Sequence, residues 1–203
     1  MATASSLVGS RSVPLLDPDA RPVNYLRARV AGVGDPSRRV VIWLIPIFLT
    51  LHNAEEAITF RRYAPGAVAL LPAPLASHAM TLHYSAFVQV LAGLALLAFV
   101  IALMAERWPH SRRLLWLLLA LQATIGLNVL AHVVTAAVLF RGYGPGLVTA
   151  VMVNAPFTVH CFRRAAREHW LSPAAMRATV PAALLLHGPV LLAALWLTGV
   201  LGR

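Results

Sequence analysis

The chain has 203 residues, of which 59% are hydrophobic and 12% charged, and its mean hydropathy is +0.73. This composition excludes an ordinary soluble domain and is typical of a protein with several membrane-spanning helices. The formal net charge is +10, and all of the basic residues other than histidine are arginines. Because the arginines cluster at the ends of apolar runs, they indicate membrane topology, and we expect no nucleic-acid partner. The single cysteine, Cys161, excludes an intramolecular disulfide and a thiolate zinc cluster.

The first 38 residues are rich in Ser, Pro, Asp and Arg, and they predict a flexible tail ahead of one helical domain over 39–203. Residues 63–79 are apolar but broken by proline and glycine, which predicts a re-entrant or interfacial segment. The predicted fold is an all-α, polytopic membrane bundle of about five transmembrane helices plus that segment. The predicted spans are 40–60, 80–104, 114–140, 147–162 and 174–200.

The arginines alternate between the two sides of these predicted spans. The tail and the loops 106–113 and 163–170 hold most of them, while the other connections hold few. Positive loops stay in the cytoplasm. We therefore expect an integral protein of a bacterial cytoplasmic membrane, with its N-terminus cytoplasmic and its C-terminus outside.

A cluster of ionisable residues lies near the end of the first span. His52, Glu55 and Glu56 are spaced i, i+3 and i+4, so they share one helical face. Ionisable groups at membrane depth are costly, and by default they mark a functional site. The topology puts this cluster in the outer half of the bilayer. Polar residues recur every four positions on two further spans, where we expect them to face the bundle interior: Thr124, Asn128 and His132, and then Asn154 and Thr158.

An imidazole and a carboxylate four residues apart on a helix can bind a metal through nitrogen and oxygen. We predict that His52 and Glu56 are such ligands and that His132 is the third. Three protein ligands with an open position are typical of catalytic zinc; iron and manganese also accept these ligands. Glu55 would then be the general base.

The remaining polar residues complete a predicted catalytic site. Asn128 and Asn154 would donate hydrogen bonds to a developing oxyanion. The spacing is analogous to the inverted zincin motif H-x-x-E-H, with Glu56 at the position of the second histidine. The predicted function is a membrane metal-dependent hydrolase whose substrate is a peptide, a lipid-linked compound or another small molecule.

Other interpretations of the same residues stay open. The glutamates can pair with Arg61 or Arg62, and His132 can donate to a backbone carbonyl. A proton-coupled transporter or an assembly subunit would also use buried glutamates. A di-iron oxidoreductase fits less well, because it needs about four carboxylates. Three further histidines are not assigned to the site. His78 and His83 are expected at the interface, and His187 is expected to face away from the polar stripes.

The sequence also resembles a family of uncharacterised membrane proteins named for its HXXEE motif. The resemblance covers roughly residues 40–200 and depends on several short motifs. These are His52-Asn53-Ala54-Glu55-Glu56, Asn128-x-x-x-His132, Tyr143-Gly144-Pro145-Gly146 and Asn154-Ala155-Pro156. It implies a small polytopic membrane protein whose motif points to an enzyme, and it supplies no substrate.

Overall fold

A computed structural model of the protein describes residues 36–69 and 84–201. Within these ranges the regular elements are all helical, which confirms the predicted all-α class. The α-helices are α1 (Pro36–Ala69), α2 (Tyr84–Arg107), α3 (Arg112–Thr135), α4 (Leu147–Thr149), α5 (Ala155–Arg167), α6 (Pro173–Arg177), α7 (Thr179–Leu185) and α8 (Leu191–Leu201). Three π-helical segments join some of them: π1 (Ala136–Phe140), π2 (Ala150–Asn154) and π3 (Leu186–Val190).

Four helical stretches in the described ranges are long and apolar enough to cross a membrane, and they identify an integral membrane protein. They are Ser37–Tyr63, Tyr84–Arg107, Arg112–Phe140 and Pro173–Leu197. The fourth predicted span, 147–162, is also helical and forms α4, π2 and part of α5. It is not among the four stretches, because the arginines at the end of α5 lower the mean hydropathy of this helical stretch. They are Arg163, Arg164 and Arg167.

The first helix is longer than the sequence predicted. It begins at Pro36, within the predicted tail, and it continues past Phe60 through Pro65 and Gly66 to Ala69. A proline removes one backbone hydrogen bond, and helices in membrane proteins tolerate that loss where the freed groups are satisfied locally. The predicted interruption at Pro65 is therefore wrong. The rest of the predicted interfacial segment, with His78, and also His83 and residues 1–35, lie outside the described residues.

The apolar core lies between α1, α2, α3 and α5. Small residues on α2 are almost fully buried, including Ala98 and Ala102 at 0% exposure, and they allow close approach of the neighbouring helices. Ile45 of α1 and Leu118 of α3 fill the same core. Cys161 is buried there too, as expected for a small apolar side chain rather than a reactive thiol.

Polar contacts tie the N-terminal end of α1 to its neighbours. Glu106 at the end of α2 accepts a hydrogen bond from Trp43 Nε1 at 2.6 Å and forms an ion pair with Arg39. On α5, Arg164 donates to the Ser37 carbonyl at 2.9 Å. These contacts fix one end of α1, and the ionisable cluster lies near the middle of the helix.

We expect Ala98→Leu to lower the thermal unfolding midpoint of the detergent-purified protein. Added methylene groups in a close-packed core cost about 1–3 kcal/mol. The matched control is Ala92→Leu, which makes the same change on the exposed side of α2. Equal midpoints for the two variants would contradict the close packing around Ala98.

Candidate metal centre

The polar residues of the His52–Glu56 stretch contact different neighbours of α1. Asn53 Nδ2 donates to the Leu91 carbonyl of α2 at 2.9 Å. Glu55 contacts the segment 143–149, and His52 and Glu56 face His132 of α3. One helical turn therefore connects α1 to three other parts of the bundle.

His52, Glu56 and His132 form a group in which one ligand atom of each residue lies within 4.8 Å of the others. Glu56 Oε2 is 3.9 Å from His52 Nε2. The two imidazole rings are 4.8 Å apart between centroids and meet at 77°, edge to face. His52 is 1% exposed, while the side chain of Glu56 is 19% exposed. The structure thus brings together the three residues predicted to bind a metal, and the group is more open on the Glu56 side.

The spacing of these atoms fits a metal ion with small adjustments. Two atoms that each lie about 2.1 Å from one ion are at most about 4.2 Å apart. The His52–Glu56 distance of 3.9 Å satisfies this limit. The overall bound of 4.8 Å exceeds it by about half an ångström, which rotation of one side chain can close. The donor set of two imidazole nitrogens and one carboxylate oxygen suits zinc, iron or manganese.

Asn128 lies between the two imidazoles. Its Nδ2 atom is 2.9 Å from His52 Nε2 and 3.1 Å from His132 Nε2. An amide nitrogen has two protons, so it can donate to both rings when each Nε2 is unprotonated. The predicted stripe of Asn128 and His132 therefore does face the cluster on α1.

The other ring nitrogen of His52 also has a partner. His52 Nδ1 is 2.9 Å from Thr149 Oγ1. Such a partner fixes the tautomer and the orientation of an imidazole, and metal-binding histidines almost always have one. Thr149 comes from the segment 143–149.

Hydrogen bonds to the Glu55 carboxylate connect the segment 143–149 to α1. Its Oε1 accepts hydrogen bonds from the Tyr143 hydroxyl at 2.6 Å and from the Val148 amide at 3.1 Å. Its Oε2 accepts one from the Thr149 amide at 2.6 Å. The carboxylate thus satisfies two amides in the first turn of α4, where Gly146 offers no side chain as a cap. Burial and the hydrogen bond to Glu55 raise the pKa of Tyr143, so its hydroxyl stays a donor.

Gly146 lies against both imidazole rings. A Cβ at this position would be 2.8 Å from His52 Cε1 and 2.9 Å from His132 Cε1. Its φ of 75° is also in the left-handed region, which favours glycine. In the sequence, residues 141–146 are a short connection between two predicted spans, and nothing indicated that this connection would close over the histidines.

The three described π-helical segments adjoin this centre. The first starts four residues after His132, and the second directly follows Thr149. The third contains His187 and packs against α3, the helix that carries His132. That His187 faces away from the other polar groups stays a prediction. A π-helical turn shifts the helical phase, and such turns are frequent at functional sites.

Other predicted contacts are not seen among the described residues. Asn154 is 1% exposed, and its Oδ1 accepts no hydrogen bond there. No hydrogen bond joins its side chain to His52, Glu56 or His132 within the described ranges. Arg61 lies over the ring of Tyr84 at 4.0 Å, and no ion pair links it to either glutamate within 36–69 and 84–201. The sequence did not indicate that Thr149, Tyr143 or Gly146 belongs to the site.

A family model described as "Protein of unknown function with HXXEE motif" matches residues 43–161. The match covers more than half of the chain and extends from α1 into α5, so it includes His52, Glu56, His132 and the segment 143–149. No curated protein and no solved structure matches the chain.

We expect Gly146→Ala to destabilise the protein clearly, because the methyl group meets both imidazoles and the backbone conformation is strained for alanine. The backbone term alone costs about 1 kcal/mol or more. The matched control is Gly142→Ala in the same turn, where the nearest atom to an added Cβ is the Phe140 carbonyl oxygen at 3.9 Å. Thermal unfolding of both variants tests this. A midpoint for Gly146→Ala equal to that of the control would contradict the contact.

Proposed function

Because the chain belongs to the family of proteins of unknown function with an HXXEE motif, we propose its function from the geometry of that motif. The protein is an integral-membrane, metal-dependent hydrolase. The observation that carries the proposal is the approach of the His52, Glu56 and His132 ligand atoms to within 4.8 Å of one another. Their types and spacing suit zinc first and iron or manganese next.

In this proposal His52, Glu56 and His132 hold the ion. A divalent ion held there supplies Lewis acidity toward a substrate carbonyl or a water molecule. Asn128 donates to the Nε2 atoms of both imidazoles. If those nitrogens bind a metal, the Asn128 amide protons lose their acceptors and are available to a developing oxyanion. Asn154 remains a proposed second donor.

Glu55 receives a different role from the one its sequence position indicated. Both of its carboxylate oxygens already accept hydrogen bonds, from Tyr143 and from two backbone amides. A general base needs a free lone pair directed at the proton that it removes. We therefore propose Glu55 as a positioning residue, which holds Thr149 against His52.

The substrate class follows from the surroundings of the centre. His52 is buried, but Glu56 and His132 are only partly buried, and Leu130 and Val133 on the same helix as His132 are 62% and 44% exposed. A peptide or a lipid-linked substrate can reach such a site laterally from the bilayer. The arginine distribution supports a site in the outer half of the membrane, with the N-terminus cytoplasmic.

One observation favours a second candidate, a proton-coupled transporter. Asn128 and the two histidines form a hydrogen-bonded group that is satisfied without a metal. Buried glutamate and histidine residues in spans also relay protons. The two candidates differ in whether the purified protein contains metal.

We expect purified wild-type protein to contain about one equivalent of a divalent metal, and His52→Ala and Glu56→Gln to lose most of it. Elemental analysis of detergent-purified protein measures this. His110→Ala is the control, because His110 lies in the loop between α2 and α3. A wild-type protein without stoichiometric metal overturns the hydrolase proposal. Uptake into proteoliposomes that depends on Glu56 would then favour the transporter.

We also expect Thr149→Val to weaken metal affinity by about 10–100-fold, because the His52 ring loses the partner of its Nδ1 atom. The matched control is Thr124→Val on α3. Among the described residues, the Thr124 hydroxyl donates only to the Ala120 carbonyl of its own helix. Competition with a chromophoric chelator measures both affinities. If both variants bind metal as tightly as the wild type does, Thr149 has no positioning role.

A further inference from the structure

One face of α5 is exposed along its whole length, and its character changes from apolar to basic. Pro156 and Val159 form the apolar part, and His160, Arg163 and Arg167 form the basic part. The spacing of about three and four residues keeps these side chains on one side of the helix. Exposed Val148 and Met152 extend the apolar part toward α4. We call this surface the α5 face.

The basic side chains of the α5 face lack a carboxylate partner in the described part of the chain. The nearest acidic residue in sequence is Glu168, and its two oxygens are already used. Glu168 Oε1 accepts from Arg164 Nε at 2.6 Å, and Oε2 accepts from Trp170 Nε1 at 2.8 Å. Neither Arg163 nor Arg167 forms an ion pair within residues 36–69 and 84–201. The positive charge of this face is therefore not neutralised by the described residues.

The α5 face also carries an open groove. A groove of about 870 Å³ lies along it, lined by Pro156, Val159, His160, Arg163, Ala166 and Arg167. Small side chains such as Ala166 leave the space between the larger basic ones.

We propose that the α5 face binds an anionic phospholipid, with its phosphate at His160, Arg163 and Arg167 and an acyl chain along Val159, Pro156 and Met152. The complementarity is of charge and of polarity. Arginine guanidinium groups and a histidine ring N–H donate hydrogen bonds to a phosphate, and the apolar turns continue in the direction that the acyl chain takes into the bilayer. Basic pockets at membrane-helix ends recognise anionic headgroups in this way.

The pattern separates this ligand from other anions. A free phosphate compound would contact only the basic part of the α5 face and would leave the apolar part unoccupied. A zwitterionic lipid carries a cation that opposes the arginines. An acidic protein partner would need no acyl-sized groove next to the charges. The proposal does not depend on the hydrolase function.

Native mass spectrometry of detergent-purified protein tests the proposal, with phosphatidylglycerol and phosphatidylcholine as the added lipids. We expect wild type to retain phosphatidylglycerol in preference to phosphatidylcholine. The double variant Arg163→Gln/Arg167→Gln should bind phosphatidylglycerol at least about tenfold more weakly, since each basic residue near an anionic surface contributes about 1 kcal/mol. The control is Arg112→Gln/Arg177→Gln, which removes two exposed charges outside the groove and should keep the wild-type affinity.

Three outcomes overturn the proposal. The first is equal retention of the two lipids by wild type. The second is equal weakening by the two double variants, which would indicate a diffuse charge effect rather than this groove. The third is displacement of the lipid by glycerol 3-phosphate at equal concentration, which would indicate a phosphate site that makes no use of the acyl chain. Thermal midpoints of both double variants near that of wild type show that the loss is local.

Discussion

The carboxylate of Glu55 joins α1 to the first turn of α4 through the amides of Val148 and Thr149, and it also accepts from Tyr143. The position of the segment 143–149 at the centre depends on this contact. It holds the segment 143–149 where Thr149 meets His52 and where Gly146 closes over both imidazoles. Helix ends leave backbone amides without partners, and in an apolar environment that is costly. An acidic side chain from a neighbouring helix satisfies them and so fixes the position of a loop.

The motif can therefore be understood as a junction between helices as well as a set of proposed metal ligands. His52 and Glu56 share one face because they are four residues apart, and they meet His132. Asn53 faces α2 instead and contacts the Leu91 carbonyl. The two adjacent glutamates have different partners, because neighbouring positions on a helix are about 100° apart. Glu56 thus lies in the centre, while Glu55 holds the segment that packs against it.

The sequence predicted the helical class, four of the apolar spans and the meeting of His52, Glu56 and His132, since each follows from composition or helical period. It did not predict the roles of Thr149 and Gly146, because these depend on how one turn packs on a distant helix. The sequence also did not indicate the π-helical segment that contains His187, and such a segment changes the helical phase. The helix also passes through Pro65, where local propensity predicted an interruption.

Asn128 constrains how the proposed centre would bind a metal. Its amide nitrogen is within 3.1 Å of both Nε2 atoms, so an ion bound by the imidazoles must displace those hydrogen bonds. In a protein interior a lost hydrogen bond leaves an unsatisfied group, which costs about 1–3 kcal/mol. The released amide regains its partners only if a substrate oxygen or a water takes the place of the imidazoles. Metal binding and substrate binding are thus expected to support each other through Asn128. If a metal binds tightly without substrate, groups near Glu56 and His132 already supply a hydrogen-bond acceptor for the Asn128 amide.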